Sequence, residues 1–162
     1  RVPFIAAWAK PDANNKFQKK YPIAQNAVQL QQGTVMDLYP TILSVAHVKS
    51  PKHYVLDGAD LKKLLQGKED KNHRDDFLMH FPHGEHRANY FTTYRKGDWK
   101  LIYYYNPETT GIPTWKLYNL KDDPYETSEL SAKYPEKTAS MIELMKNRLT
   151  EENALYPITE NK

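Results

Sequence analysis

Residues 90–105 read YFTTYRKGDWKLIYYY, and this stretch decides the fold. Two runs within it, residues 90–95 and 99–105, are rich in the aromatic and β-branched side chains that strands favour. Between the two runs, Lys96, Gly97 and Asp98 form a short glycine-containing connection that is typical of a hairpin turn. The stretch therefore predicts two adjacent antiparallel strands.

Two further strands are predicted on either side of this hairpin, at residues 76–81 and 115–120. Strands joined by short turns pair in antiparallel fashion, so the four should form one antiparallel sheet. The longest predicted helix covers residues 135–153, with an apolar stripe of Met141, Leu144, Met145 and Leu149. The predicted fold is α+β, with a four-stranded antiparallel sheet covered by a long C-terminal helix.

A strand–loop–helix segment is predicted to precede this sheet. Residues 2–8 (VPFIAAW) form an almost wholly apolar run, which favours a strand covered on both faces in a larger parallel sheet. Residues 10–32 are polar, basic at the start and predicted to be a long exposed loop.

Two short helices should follow this loop. Asp37 is expected to cap the first, with Pro40 in its opening turn, and Asp60 to cap the second, which Gly67 ends.

The charged run KEDKNHRD at residues 68–75 marks the best internal boundary. We therefore predict two parts: residues 1–67, the end of a larger α/β domain, and residues 68–162, the sheet and its helix. Residues 1–67 carry nine Lys and Arg against four Asp and Glu, whereas residues 68–162 carry fourteen against sixteen. The basic charge is thus concentrated in the first part.

The composition excludes several classes of function. The chain has 162 residues and no cysteine, which removes disulfides, thiolate metal sites and a cysteine nucleophile. Its net charge of +3 is too small to predict nucleic-acid binding, and no apolar run is long enough to span a membrane. Because the chain opens without methionine and runs directly into apolar sequence, we expect it to be part of a larger protein.

Three segments, in this order, resemble the C-terminal part of a type I, arylsulfatase-like sulfatase of the alkaline phosphatase superfamily. The first is RVPFIAAW at residues 1–8. The second comprises DLYPTIL at 37–43, LDGADL at 56–61 and LLQG at 64–67. The third comprises RKGDWKLI at 95–102 and LYNLKDDPYE at 117–126. The resemblance covers most of the chain.

The resemblance implies that the intact parent hydrolyses sulfate monoesters, on a carbohydrate or aryl substrate. Family members use a formylglycine made from the Cys or Ser of a Cys/Ser-x-Pro-x-Arg motif, and they bind calcium through residues of the N-terminal domain. Neither motif maps onto this chain, so both cofactors are expected in the missing N-terminal part. We therefore predict no catalytic residue, no metal site and no turnover for this polypeptide alone. An extracytoplasmic parent, periplasmic or secreted, is also implied.

Four histidines lie within residues 73–86. A transition-metal site is one interpretation, but Pro82 interrupts the pair His80 and His83, and residues three apart on a strand face opposite sides. Many carbohydrate sulfatases carry a similar His-x-Pro-His segment. The resemblance therefore implies that His80, His83 and Arg87 contact the sugar, while a purely structural strand end and loop is the alternative.

Two other functions are consistent with the sequence. The chain could be a non-catalytic carbohydrate- or protein-binding module, or the tail of a related phosphatase or phosphotransferase. An unpaired strand at residues 2–8 would distinguish a severed piece from a self-sufficient module, because it would leave an apolar edge available for self-association.

Overall fold

The computed structural model describes residues 2–82, 90–105, 111 and 113–156. The chain divides into two compact units, Arg1–Arg74 (unit 1) and Asp75–Lys162 (unit 2). The division falls within the charged run that follows the predicted boundary at residue 67.

Unit 2 contains the predicted antiparallel sheet. Its strands are β1 (Asp76–Phe81), β2 (Phe91–Lys96), β3 (Trp99–Tyr104) and β4 (Trp115–Asn119), and they lie in the order β1-β2-β3-β4. Every neighbouring pair is antiparallel. Gly97 closes the β2–β3 turn with φ of 57°, a left-handed conformation that glycine adopts without strain. The α+β fold class is confirmed.

A long helix covers one face of this sheet, and the core of unit 2 lies between them. With the three shorter helices of unit 1 numbered first, this helix is α4 (Pro135–Glu151). The residues of this core are each no more than 2% exposed: Tyr94, Leu101 and Leu117 from the sheet, and Met141, Met145 and Leu149 from α4. Burying such side chains is the main source of the stability of a domain of this size.

The predicted apolar stripe of α4 is wrong at one position. Leu144 is 37% exposed, whereas Thr138 is buried and its hydroxyl donates to the carbonyl of Tyr134 at 2.9 Å. Leu144 lies three residues after Met141, which turns it to the margin of the buried face, and the short threonine fits under the first turn instead. Arg148, at the other end of α4, lies 3.6 Å from Asp76 of β1 and ties the helix to the sheet edge.

Unit 1 consists of short helices joined by long connections. They are α1 (Lys16–Lys20), a 3₁₀ turn (Val35–Asp37) that leads into α2 (Leu38–Val45), and α3 (Lys62–Leu65). Helix α3 begins one residue later than predicted, with Leu61 at the N-cap position, and the side chain of Asp60 accepts from the amide of Lys62 at 2.9 Å. Gly67 follows the helix with φ of 72°, as predicted. None of the helices in the described part of the chain is long and apolar enough to cross a bilayer.

Three expectations about unit 1 need correction. Residues 2–8 are not a strand, and Val2 and Ile5 are 91% and 88% exposed, because a strand requires a neighbouring ladder and none of the described residues offers one. The stretch 10–32 is not wholly a loop, because Asn15 caps α1 within it. The side chain of Asp37 does not cap α2 as expected. Asp37 has helical backbone angles at the end of the 3₁₀ turn, and its carboxylate accepts instead from the amide of Thr34 at 2.6 Å.

Candidate functional site

His80, the first candidate site residue, lies on β1 directly opposite Thr92 of β2. It shares the helix-covered face of the sheet with Leu78 and Tyr94, because side chains two apart on a strand point to the same side. It therefore stands at the end of the core, next to the segment that follows α4. The other two candidates, His83 and Arg87, lie outside the described residues.

Both ring nitrogens of His80 are hydrogen-bonded within the chain. Nε2 donates to the carbonyl of Leu155 at 2.6 Å, and Nδ1 lies 2.7 Å from the Thr92 hydroxyl. A carbonyl oxygen can only accept, so Nε2 carries a hydrogen and Nδ1 of the neutral ring accepts from Thr92. The bond to Leu155 therefore fixes the tautomer of the ring.

The hydrogen bonds continue from Thr92 to Tyr105, because the two hydroxyl oxygens lie 2.7 Å apart, and the Tyr105 hydroxyl also lies 3.3 Å from Nδ1 of His80. Thr92 is fully buried. Burial raises the pKa of the Tyr105 hydroxyl, so it stays protonated and keeps its hydrogen for donation at neutral pH. The rings of Tyr105 and Tyr156 both meet the His80 ring edge-on, at centroid distances of 6.0 and 5.9 Å.

We call His80, Thr92, Tyr105, Leu155 and Tyr156 the His80 cluster. It fastens residues 155–156 to the sheet and holds the imidazole in one orientation. A ligand that took the Nε2 hydrogen bond would have to displace the Leu155 carbonyl. The cluster lies beside the ends of β1 and β2, Phe81 and Phe91, which flank the segment containing His83 and Arg87.

Sequence reasoning missed Thr92 and Tyr105 as neighbours of His80. Their pairing depends on strand register: His80 lies opposite Thr92, Thr92 lies opposite Tyr103, and Tyr105 is two residues further along the same face. A β2–β3 turn at residues 97–98 predicts the pairing of Thr92 with Tyr103. No sequence pattern indicates that Leu155 lies next to His80.

A second buried polar cluster lies in unit 1 around Asp37. Its carboxylate accepts from the amides of Thr34 at 2.6 Å and Ala59 at 2.8 Å, and it lies 3.7 Å from Nε2 of His73. Asp37 and His73 are 4% and 8% exposed. The carboxylate therefore ties the 3₁₀ turn to the 56–61 connection and to the end of unit 1.

The described residues do not fit the cofactors of the resembled family. Residues 2–82, 90–105, 111 and 113–156 contain no group of three or more His, Cys, Asp or Glu side chains placed to hold a metal ion. The chain has no cysteine, and none of its serines lies in the Ser-x-Pro-x-Arg motif from which a formylglycine forms in the family.

The fold of the chain is also seen in solved structures. A protein in complex with its substrate D-glucosamine-2-N,6-O-disulfate is 30% identical, with a TM-score of 0.56 over 70% of this chain and 23% of that protein. The phosphonate monoester hydrolase of Agrobacterium radiobacter has a TM-score of 0.52 at 22% identity, over 71% of this chain and 24% of that one. At that identity the likeness shows the fold alone.

The family itself follows from the sequence match. Residues 10–154 match the model of the N-sulphoglucosamine sulphohydrolase C-terminal family, and the chain belongs to that family. A sulfatase of Formosa agariphila is 34% identical over 146 residues, covering 80% of this chain and 25% of the relative. The chain thus spans about a quarter of the length of the sulfatase relatives that it matches. The resemblance drawn from the sequence is confirmed.

Proposed function

We propose that this chain forms the C-terminal part of a sulfatase that hydrolyses sulfate monoesters of a carbohydrate. The family match over residues 10–154 carries this proposal. The choice of a carbohydrate rests on the relative solved with D-glucosamine-2-N,6-O-disulfate, which is similar over 70% of this chain. The extracytoplasmic location of the parent is part of the proposal and rests on family membership.

In this proposal the chain contributes structure rather than the reacting groups. Sulfate ester hydrolysis needs preorganised cations or a metal around the developing negative charge. The formylglycine and the calcium that supply this chemistry in the family are assigned to the region upstream of the chain. Unit 2 contributes a rigid sheet and helix beside the cleft, and unit 1 continues the catalytic domain. The exposed apolar segment at residues 2–8 would complete a sheet of that domain.

The site proposal concerns His80, His83 and Arg87. Imidazole and guanidinium groups can donate hydrogen bonds to sugar hydroxyls or to a second anionic group. Because the described contacts of His80 engage both ring nitrogens, its role would be to hold the end of β1, and direct sugar contacts would fall to His83 and Arg87. This division separates a positioning residue from two binding residues.

The related hydrolysis of phosphate or phosphonate esters is the second candidate function. It is favoured only by the fold shared with the phosphonate monoester hydrolase. A non-catalytic binding module is the third.

Ester selectivity separates these functions. The complete product of the gene and the 162-residue chain would each be purified and given a chromogenic sulfate ester, a sulfated glucosamine and a phosphonate monoester. We expect sulfate release from the complete product and none from the chain alone. Turnover by the chain alone, or preference of the complete product for the phosphonate, would overturn the proposal.

A further inference from the structure

The two edges of the sheet in unit 2 differ. The sheet ends at β4 on one side and at β1 on the other. The β4 edge is covered by the chain that follows it, because the amide of Leu130 donates to the carbonyl of Leu117 at 2.9 Å. The amide of Leu117 in turn donates to the Glu129 carboxylate at 2.9 Å. The backbone groups at the outer side of β4 are therefore satisfied within the chain.

The β1 edge has no such cover among the described residues. The amide of Gly97 donates to the carbonyl of Asp75 at 3.2 Å, and this pair continues the β1–β2 register. Hydrogen-bonded residues alternate along an antiparallel ladder, so the odd-numbered residues of β1 bond to β2. The N–H and C=O groups of Leu78 and His80 therefore point away from the sheet, and no described backbone group bonds to them there. Such a row of donors and acceptors is a template for another strand.

Strand β1 also lacks the features that keep edge strands apart. Natural edges usually carry charged residues, a proline or a bulge. Residues 77–81 (FLMHF) contain no Lys, Arg, Asp, Glu or Pro, and β1 pairs with β2 residue for residue, without a bulge. On the face away from α4, Met79 is 44% exposed and Phe81 is 36% exposed. The edge is therefore apolar as well as open.

We propose that β1 pairs with β1 of a second copy of this chain, antiparallel and with Met79 on the two-fold axis. A two-fold interface joins the same patch of both copies, so the patch must be complementary to itself. In this register Leu78 of each copy lies opposite His80 of the other, and each outward N–H meets a C=O. Phe77 lies opposite Phe81 and Met79 opposite Met79, so apolar side chains meet and no like charges do. This double match of backbone and side chains favours a second copy over another extended segment.

The dimer should be weak, because a ladder over residues 77–81 is much smaller than the about 1,600 Å² of a standard interface. We expect a dissociation constant on the order of 100 µM, measured by sedimentation velocity of the 162-residue chain between about 10 µM and about 1 mM. Met79→Lys should weaken the dimer roughly tenfold or more, because the two ammonium groups would face each other across the axis. The matched control is Ile5→Lys, which adds the same charge at an apolar residue that is 88% exposed in unit 1, and it should leave the dimer unchanged.

The register is tested with single cysteines, because the chain has none of its own. Met79→Cys should form a disulfide-linked dimer on mild oxidation, since opposite residues of a non-hydrogen-bonded pair have Cα atoms about 4.5 Å apart. Phe81→Cys is the control. Its two copies would lie about 13 Å apart along the strands, beyond the reach of a disulfide.

The unmodified chain gives a further readout in amide hydrogen exchange. The amides of Leu78 and His80 should exchange more slowly as the concentration rises, while the amide of Met79, which bonds to β2, should not change. A chain that stays monomeric at the highest concentration would overturn the proposal. So would equal weakening by Met79→Lys and Ile5→Lys, or cross-linking that does not distinguish the two cysteine positions.

Discussion

Replacing Gly58 by alanine should strongly destabilise unit 1. A Cβ built on Gly58 would lie 2.1 Å from the carbonyl oxygen of Met36 and 2.6 Å from the amide nitrogen of Asp37. Real Cβ atoms essentially never approach closer than 3.0 Å, so the two backbone segments would have to separate by about 0.9 Å. Neither partner is a flexible side chain, so the backbone itself must move.

The cost follows from the hydrogen bonds that cross this contact. The amide of Ala59 donates to Asp37 at 2.8 Å, and a shift of this size would take the pair beyond hydrogen-bonding distance. Losing a hydrogen bond to a charged group costs about 1.5–3 kcal/mol, and forcing an added methyl into a packed site costs about 1–3 kcal/mol. The lower flexibility of alanine in the unfolded chain offsets about 0.4–1 kcal/mol. We expect a net loss of about 3 kcal/mol.

The assay is urea unfolding of the 162-residue chain, combined with hydrogen–deuterium exchange of residues 56–66. The control is Gly33→Ala, in the same unit, where the added Cβ would meet only side-chain atoms at ordinary contact distances, Leu61 Cδ2 at 3.4 Å and Asp37 Oδ2 at 3.8 Å. Gly58→Ala should accelerate exchange across residues 56–66, while Gly33→Ala should change stability by less than about 1 kcal/mol. Equal stability and exchange in the two variants would refute the close backbone approach.

Three further predictions concern unit 2. Met145→Ala should lower the unfolding free energy of unit 2 by about 2–5 kcal/mol in urea titrations, because the Met145 side chain is 1% exposed. The control Leu144→Ala should cost less than about 1 kcal/mol, because Leu144 is 37% exposed. Similar losses in the two variants would contradict the assigned helix face. Thr92→Val should break the hydrogen bonds to His80 and Tyr105 and increase the rate of amide hydrogen exchange at residues 154–156. Unchanged exchange at residues 154–156 would mean that the His80 cluster does not hold them against the sheet. Burial alone would raise the pKa of Glu129, but the amides of Leu117 and Ser131 donate to its carboxylate and lower the pKa below the ordinary value of 4.5. The resulting stabilisation is present above about pH 4.5 and is lost as the pH falls through the lowered pKa. Glu129→Gln should therefore make the unfolding free energy depend less on pH below about pH 4.5. An unchanged pH dependence would argue against the hydrogen bonds from Leu117 and Ser131.

The sheet of unit 2 could be predicted because its determinants are local. β1 occupies the predicted residues 76–81, and the other strands differ from prediction by a residue at one or both ends. Alternating aromatic and β-branched side chains, a glycine turn and an amphipathic helix act over a few residues each, so they are visible in the sequence. Trp99, Leu101 and Tyr103 face the helix for the same reason.

The errors arise where structure depends on distant partners. The apolar run at residues 2–8 has the composition of a buried strand, but a strand forms only beside another strand. The His80 cluster depends on strand register and on the path of the chain after α4, which brings the Leu155 carbonyl to His80 across 75 residues. The role of Asp37 also differs from the prediction, because its two carboxylate oxygens accept from the amides of two different segments. One oxygen accepts from Thr34 and the other from Ala59.

A domain exchange tests the central claim most directly. The quarter of the Formosa agariphila sulfatase that matches this chain at 34% identity would be replaced by the 162 residues. Sulfate release would be compared with that of the same enzyme lacking this quarter. If the chain supplies scaffold and no reacting group, the exchanged enzyme should hydrolyse a sulfate ester and the truncated one should not. A folded, soluble exchange product without sulfatase activity would contradict this account.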